Sequence, residues 1–457
     1  MHIYERFSPA QRRSMFICLL LTCIVSAMLN TVLNTVLPAI MGEFSIDSNT
    51  GQWLASGYSL AMAISMPLTA YLAGRFPTKP LYLSALVLFS AGVALSAFAP
   101  NFPTMMVGRV VQACGNGIIG ALTQVVLISI FPPKRRGTIM GWYGLSVGLA
   151  PIVAPALGGL VADLFSWRFI FYFALGLMVL SLACSSLTFR NVLDTEKSPF
   201  DTASFALSAL SFGGITLGIG NLSSLGIGNA ATFVPLAIGI VATPVFARRQ
   251  LQHDTPFLDL RTFRTRPFTF AVLGSMALYF VMMASSLLTP LYVQEIAGLS
   301  AAVAGMCVLP GSALSAIASP VAGKIYDRFG IRALLVASGV CMTASNVGMM
   351  LLDGSANSVW AATALFALRS AAVSCALMTL VTWGVGALPE KLGAHGTSIL
   401  NALRTVAGAV GMSVSVGIMN FAASLSGTAL FGMHVSFAVL AVCSVPLIVL
   451  GITAEKR

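Results

Sequence analysis

Apolar stretches of 18 to 30 residues recur along the whole chain, each broken by a short polar segment. About 20 apolar residues suffice for an α-helix to cross the hydrocarbon core of a bilayer. The stretches fall near residues 14–38, 53–73, 81–99, 103–131, 139–162, 168–189, 203–222 and 231–247. Six more lie near 269–293, 301–325, 333–352, 358–387, 396–423 and 429–453, which predicts fourteen membrane helices. Arg6, Arg12 and Arg13 precede the first stretch as they would in a signal sequence, but the apolar run is far longer than a signal h-region, so a retained span is expected.

The polar segments alternate in charge. If the N-terminus is cytoplasmic, 21 of the 25 basic residues fall on the cytoplasmic side, and Arg109, Arg369, Arg404 and Arg168 are the remainder. The opposite loops carry Glu43, Asp47, Asp163, Glu295 and Asp353. This asymmetry follows the positive-inside rule and predicts that both termini are cytoplasmic. Composition agrees: 57% of residues are hydrophobic and 9% charged, against about 25% charged in soluble domains. The net charge of +11 is therefore topological, and no nucleic-acid partner is expected. All eight cysteines lie in apolar stretches and the four histidines are scattered, so neither disulfides nor a metal site is predicted. Phosphate-binding loops, Cys/His nucleophile pairs and paired carboxylates are absent, which excludes an enzyme, an ATP-driven pump and a resident cofactor.

A short loop occurs twice. "AYLAGRFPTKPLYL" (70–83) aligns with "GKIYDRFGIRALL" (323–335), pairing Arg75 with Arg328 and Lys79 with Arg332, but Gly74 with Asp327 and Pro77 with Gly330. Arg109 and Arg369 stand 260 residues apart, as do Gly148 and Gly408. Such an internal repeat is a common transporter construction. It predicts a six-helix bundle over 1–190, a two-helix insertion with a connector over 191–266, and a second six-helix bundle over 267–457. The second loop keeps Asp327 beside Arg328 and Arg332 and can form an acid-centred contact between bundles, whereas the first keeps only its topological arginine and lysine.

Polar groups within spans mark candidate sites, since a charge at mid-membrane costs about 2.5 to 3.5 kcal/mol on insertion scales. Arg109, Gln112 and Asn116 share one helix face, as do Asn30 with Asn34 and Asn401 with Arg404. They are read either as interhelical hydrogen bonds or as a substrate path. Trp53, Tyr58, Tyr279 and Met282 lie near these groups and are the expected apolar lining of a central pocket. Gly144, Gly148, Gly158 and Gly159, with Pro151 and Pro155, make a surface that serves tight packing or a functional bend. Every one of the fourteen acids falls in a loop or at a span end, so no carboxylate sits at mid-membrane.

"GLSVGLAPIVAPALGG" (144–159) and "GRVVQACGNG" (108–117) resemble the antiporter signature and the arginine motif of the major facilitator superfamily. "LNTVLNTVLPAI" (29–40), "SWRFIFY" (166–172), "PFLDLRTFRTRPF" (256–268) and "LYVQEIAGLSAAVAGMCVLPG" (291–311) are similar to its fourteen-span drug:proton antiporter family. "GQWLASGYSL" (51–60) is most like the lincomycin-resistance-type exporters. The resemblance implies an all-α polytopic fold and multidrug export by alternating access in a bacterial plasma membrane. It also implies a small amphipathic substrate and protons as coupling ion; a monomer is expected, though the sequence does not fix the oligomeric state. It assigns coupling and gating to Arg109, Gly148, Pro151, Pro155 and Gly158. Many members carry a first-span aspartate where this chain has Asn30; without it, Asp327 and Asp163 are the available titrating groups, and neutral or anionic substrates are expected over lipophilic cations. Two rival readings stand beside it: a transporter of one metabolite, and a non-transporting sensor or scaffold.

Overall fold

The computed structural model describes residues 3–195, 200–226, 228–253 and 256–454; within its helices, the side chains of Asn34, Pro151, Pro155 and Asp163 lie outside the described residues. The helices are α1 (Pro9–Phe44), α2 (Ser48–Arg75), α3 (Thr78–Ala97), α4 (Phe102–Ile130), α5 (Arg136–Leu164), α6 (Trp167–Thr188), α7 (Thr202–Ser208) and α8 (Gly214–Leu225). They continue with α9 (Ala230–Gln252), α10 (Arg266–Leu291), α11 (Ala301–Phe329), α12 (Arg332–Met350), α13 (Ser358–Gly386), α14 (Gly393–Ser426) and α15 (Ala429–Thr453). A π-helical segment, Ala209–Gly213, joins α7 and α8 into one rod. Among the described residues, 12 helices are long and apolar enough to cross a membrane. Two further rods, α2 and α5, have 28 and 29 residues.

Local chemistry sets where the rods start and stop. Ser8 and Gln11 form a reciprocal capping box that starts α1 several residues before the apolar run, and α1 continues past Pro38 to Phe44. Asp47, Asn101, Asp201 and Ser300 cap α2, α4, α7 and α11 through their side chains. The two copies of the repeated loop are built differently. Gly330 ends α11 at φ 76°, a conformation that glycine adopts without a Cβ penalty. Pro77 has φ −55° and introduces α3 instead.

The packing repeats with the sequence. In the first half α1 packs on α5, α2 on α4, and α3 on α4 and α6; in the second α10 packs on α14, α11 on α13, and α12 on α13 and α15. Two buried apolar clusters form: one around Phe89, Leu122 and Phe171 continues into the second half through Phe268, Val381 and Leu400, and the other, around Leu335, Met342 and Phe437, stays within the second half. Two seams join the halves, α5 against α11 and α2 against α14. The α7–α8 rod lies along the second seam, touching both α2 and α14, where Ser413 Oγ donates to the carbonyl of Ile219 at 2.9 Å.

Candidate functional site

The α5–α11 seam is tight at the end that carries the basic loops. A Cβ added at Gly137 would lie 2.6 Å from the Gly323 carbonyl, and one at Gly141 would lie 2.6 Å from that of Ser319. Small residues here let two backbones meet, and Ser319 Oγ donates to the Gly141 carbonyl at 2.9 Å. Asp327, from the second half, accepts the Gly137 N–H at 2.8 Å, the Thr138 N–H at 2.7 Å and the Thr138 hydroxyl at 2.6 Å. Those amides belong to the first turn of α5, so the carboxylate meets unpaired N–H groups and the positive end of the helix dipole. Arg328 and Arg332 are exposed; Arg328 stacks on Phe329 at 5.1 Å rather than crossing to the first half. Further along α5 the glycine surface divides. Gly148 faces open space, while Gly144 meets Ser319 of α11 and Gly158 meets Val32 of α1, so these three glycines do not act as one packing face; Gly159 lies with Pro151 and Pro155 outside the described residues.

The predicted polar residues gather into two clusters. The first is internal to the first half. Arg109 donates to Gln112 Oε1 at 2.9 Å and to the Leu54 carbonyl at 3.3 Å, with its guanidinium 4.1 Å from the Tyr58 ring centroid. Asn116 donates to the Tyr58 hydroxyl at 2.8 Å and accepts from Ser26. The i, i+3, i+7 spacing places these side chains on the α4 face that meets α1 and α2. Trp53 is 42% exposed and Asn30 is exposed on α1, so neither joins this cluster.

The second cluster spans the halves. Asn401 of α14 donates to Gln124 Oε1 of α4 at 3.2 Å, and Gln124 donates to the Tyr143 hydroxyl of α5 at 3.5 Å. Arg404 lies one turn from Asn401, 4.9 Å from the Tyr279 ring centroid of α10. Met282 is half-buried one turn beyond Tyr279. Gln112 and Gln124 are twelve residues apart on α4, so the clusters differ in depth by about 18 Å. Sequence reasoning passed over Gln124 and Tyr143; the signal available was the same one that marked Asn116, an amide within an apolar run.

Arg369 is buried in the second half as Arg109 is in the first. It donates to Asn346 Oδ1 at 3.3 Å and Thr289 Oγ1 at 2.9 Å. No carboxylate pairs with Arg109, Arg369 or Arg404 among the described residues. Among those same residues, Arg109 Nη2, Gln112 Nε2, Asn401 Oδ1 and Arg404 Nη1 are buried without a protein hydrogen-bond partner. Each such group costs about 1 to 3 kcal/mol, and concave sites with a few convergent polar groups suit small molecules. A separate crevice of about 290 Å³ between α1, α5 and α6 is apolar, lined by Met28, Val32, Gly158 and Phe173, and touches neither cluster.

Residues 19–412 match the Major Facilitator Superfamily. The chain is 34% identical over 425 residues to the uncharacterized MFS-type transporter YcnB of Bacillus subtilis, covering 92% of this chain and 90% of that one. It is 33% identical to the lincomycin resistance protein LmrB of the same organism, covering 83% and 80%. The riboflavin transporter RibZ of Clostridioides difficile is 28% identical, with 93% and 92% covered. The crystal structure of the human organic anion transporter MFSD10 superposes with a TM-score of 0.70 at 15% identity, covering 97% and 100%, a likeness of fold. With its repeated helical halves and 12 helices fit to cross a membrane, the chain is a multi-pass membrane protein that belongs to the major facilitator superfamily.

Proposed function

We propose that this protein is a fourteen-span, proton-driven exporter of small amphipathic compounds, working by alternating access. The carrying observation is the asymmetric closure: α5 and α11 meet at the basic end through Gly137, Gly141 and Asp327, while Gly148, further along α5, faces open space. In this reading the basic end is cytoplasmic, as the charge distribution favours, and the arrangement is closed inward. Residues 1–190 and 267–457 are the two moving bundles, and the α7–α9 insertion flanks the α2–α14 seam. The fourteen-span count takes in α2 and α5, whose length suits a membrane crossing.

Substrate is bound by the inter-half cluster of Gln124, Tyr143, Tyr279, Asn401 and Arg404. Arg404 Nη1 is an unpaired donor that favours neutral or anionic ligands, and Asn401 Oδ1 is an unpaired acceptor for a donor group on them. Arg109 and its partners hold the first half in shape and take part in coupling. The Asp327 contact is the gate: loss of its hold on α5 lets the basic end open. LmrB supports the drug-export reading through the kind of compound its name carries. Counterflow in proteoliposomes across a small compound panel, with and without an imposed pH gradient, tests it. Gradient-dependent accumulation of several unrelated amphipaths is expected, and indifference to the gradient would remove the proton from the scheme. The likeness to RibZ over nearly the full chain supports a second reading, a transporter for one metabolite. A panel with a single transported compound would favour it.

A further inference from the structure

A pocket of about 560 Å³ opens at the basic end between the start of α1 and the α4–α5 connection, and it shares no lining residue with either polar cluster. Arg12, Arg13 and Arg135 line it above an apolar floor of Phe16, Phe131 and Ile139, and no acidic residue is among its lining. We infer that this pocket binds the phosphodiester headgroup of an anionic membrane lipid.

Three features point to that chemistry. First, the guanidinium of Arg12 is fixed, donating to the carbonyls of Tyr4 at 2.6 Å and Phe7 at 3.1 Å, while Arg13 and Arg135 are exposed at the rim. Planar guanidinium forks match phosphate oxygens geometrically, and one held in place beside two exposed ones makes an anion site. Second, the floor is aromatic and aliphatic: Phe16 and Phe131 meet edge to face at 5.9 Å. A free phosphate gains nothing from such a surface, whereas the glycerol backbone and upper acyl chain of a lipid do. Third, the arginines sit where the apolar run of α1 begins, with Ile17 next to the floor and 55% exposed. The pocket is therefore level with the headgroups of a surrounding bilayer. Basic pockets between membrane helices are suited to anionic headgroups.

The test uses the full-length protein in detergent and counts retained lipid by native mass spectrometry, with phosphatidylglycerol and phosphatidylcholine as probes. Arg13→Gln with Arg135→Gln removes two guanidiniums and leaves Arg12, which holds the chain, in place. Each arginine near a membrane surface contributes about a fivefold effect, so phosphatidylglycerol affinity falls roughly 30-fold in the double variant. Arg248→Gln with Arg264→Gln removes the same charge from exposed positions elsewhere on the basic end and changes affinity less than twofold. The Arg13→Lys with Arg135→Lys protein keeps its charge but not the planar forks, and recovers only part of the binding. Unaltered phosphatidylglycerol retention in the glutamine pair at the pocket overturns the assignment. Equal loss in both glutamine pairs overturns it too, since the basic end as a whole would then be responsible. Displacement of phosphatidylglycerol by millimolar inorganic phosphate reassigns the pocket to free anions and removes the lipid.

Discussion

Arg109 and Arg369 are 0% and 2% exposed, and both are held by neutral groups. Amide and hydroxyl oxygens, a backbone carbonyl and an aromatic face replace the water that each cation would otherwise keep, and none of these cancels its charge. Lysine cannot reproduce this solvation, because its ammonium lacks the planar fork that reaches Leu54 and Gln112 while stacking on Tyr58. Arg109→Lys is expected to leave Gln112 Oε1 without its donor, at a cost of about 1 to 3 kcal/mol. A lowered unfolding temperature in detergent and at least tenfold slower counterflow should follow; full transport at wild-type stability would show that the fork is dispensable. Gly148→Leu tests the gap directly. Its side chain enters open space, so insertion should be normal while export is lost, and normal export would mean that the gap is not on the transport path. The Arg109 group was legible because its members share one helix face. Of the inter-half group, Asn401, Arg404 and Tyr279 were legible but their junction with Gln124 and Tyr143 was not, because Gln124 and Asn401 lie 277 residues apart and no local periodicity links them.

At the scale of elements, one carboxylate joins two helices from different halves. Asp327 meets the first turn of α5 through three hydrogen bonds, and a charge at a partly buried helix N-terminus contributes up to about 2 kcal/mol. A loss of that size shifts an open–closed equilibrium by about 30-fold. Asp327→Asn should therefore populate an open basic end. Spin labels at Lys134→Cys and Lys324→Cys, both exposed positions on the two sides of this seam, would report it as a longer distance. An unchanged distance distribution would take the switch away from Asp327. The repeated loop foreshadowed this asymmetry: the copy with acid and glycine makes the contact, whereas at Gly74 an added Cβ meets nothing within 4 Å. Gly74→Asp fits sterically and should add a second contact that slows opening; an unchanged transport rate would leave the first loop as a topology anchor only. Helix ends were less legible than helix existence. Capping by Ser8 begins α1 before its apolar run, and the π segment that joins α7 to α8 has no counterpart in the hydrophobic pattern.

The whole molecule combines a twofold repeat with a charge pattern that the repeat does not require. The repeat was readable because Arg109 and Arg369 recur at a fixed offset, and the paired packing of α1–α6 and α10–α15 follows it. The depth of the clusters was not readable, since spacing along a sequence orders residues on one helix but does not say which helices face each other across a seam. That arrangement bears on selectivity. Arg109, Arg369 and Arg404 are buried among neutral partners, and the acids that the structure describes in ion pairs, Glu43, Asp194 and Asp201, lie at rod ends or in connections. At about 10 Å and an effective dielectric near 20, one such arginine repels a monovalent cation by about 1.7 kcal/mol, more than a tenfold bias against binding. A neutral or anionic compound meets no such penalty and can take a hydrogen bond from Arg404. Counterflow with ethidium, a neutral antibiotic and a carboxylate of similar size should therefore rank the cation last by at least an order of magnitude. Arg404→Gln should narrow that gap by slowing the carboxylate and leaving the neutral compound less affected. Ethidium flux rivalling the neutral antibiotic would mean that the arginines are shielded from the path and serve the bundle alone.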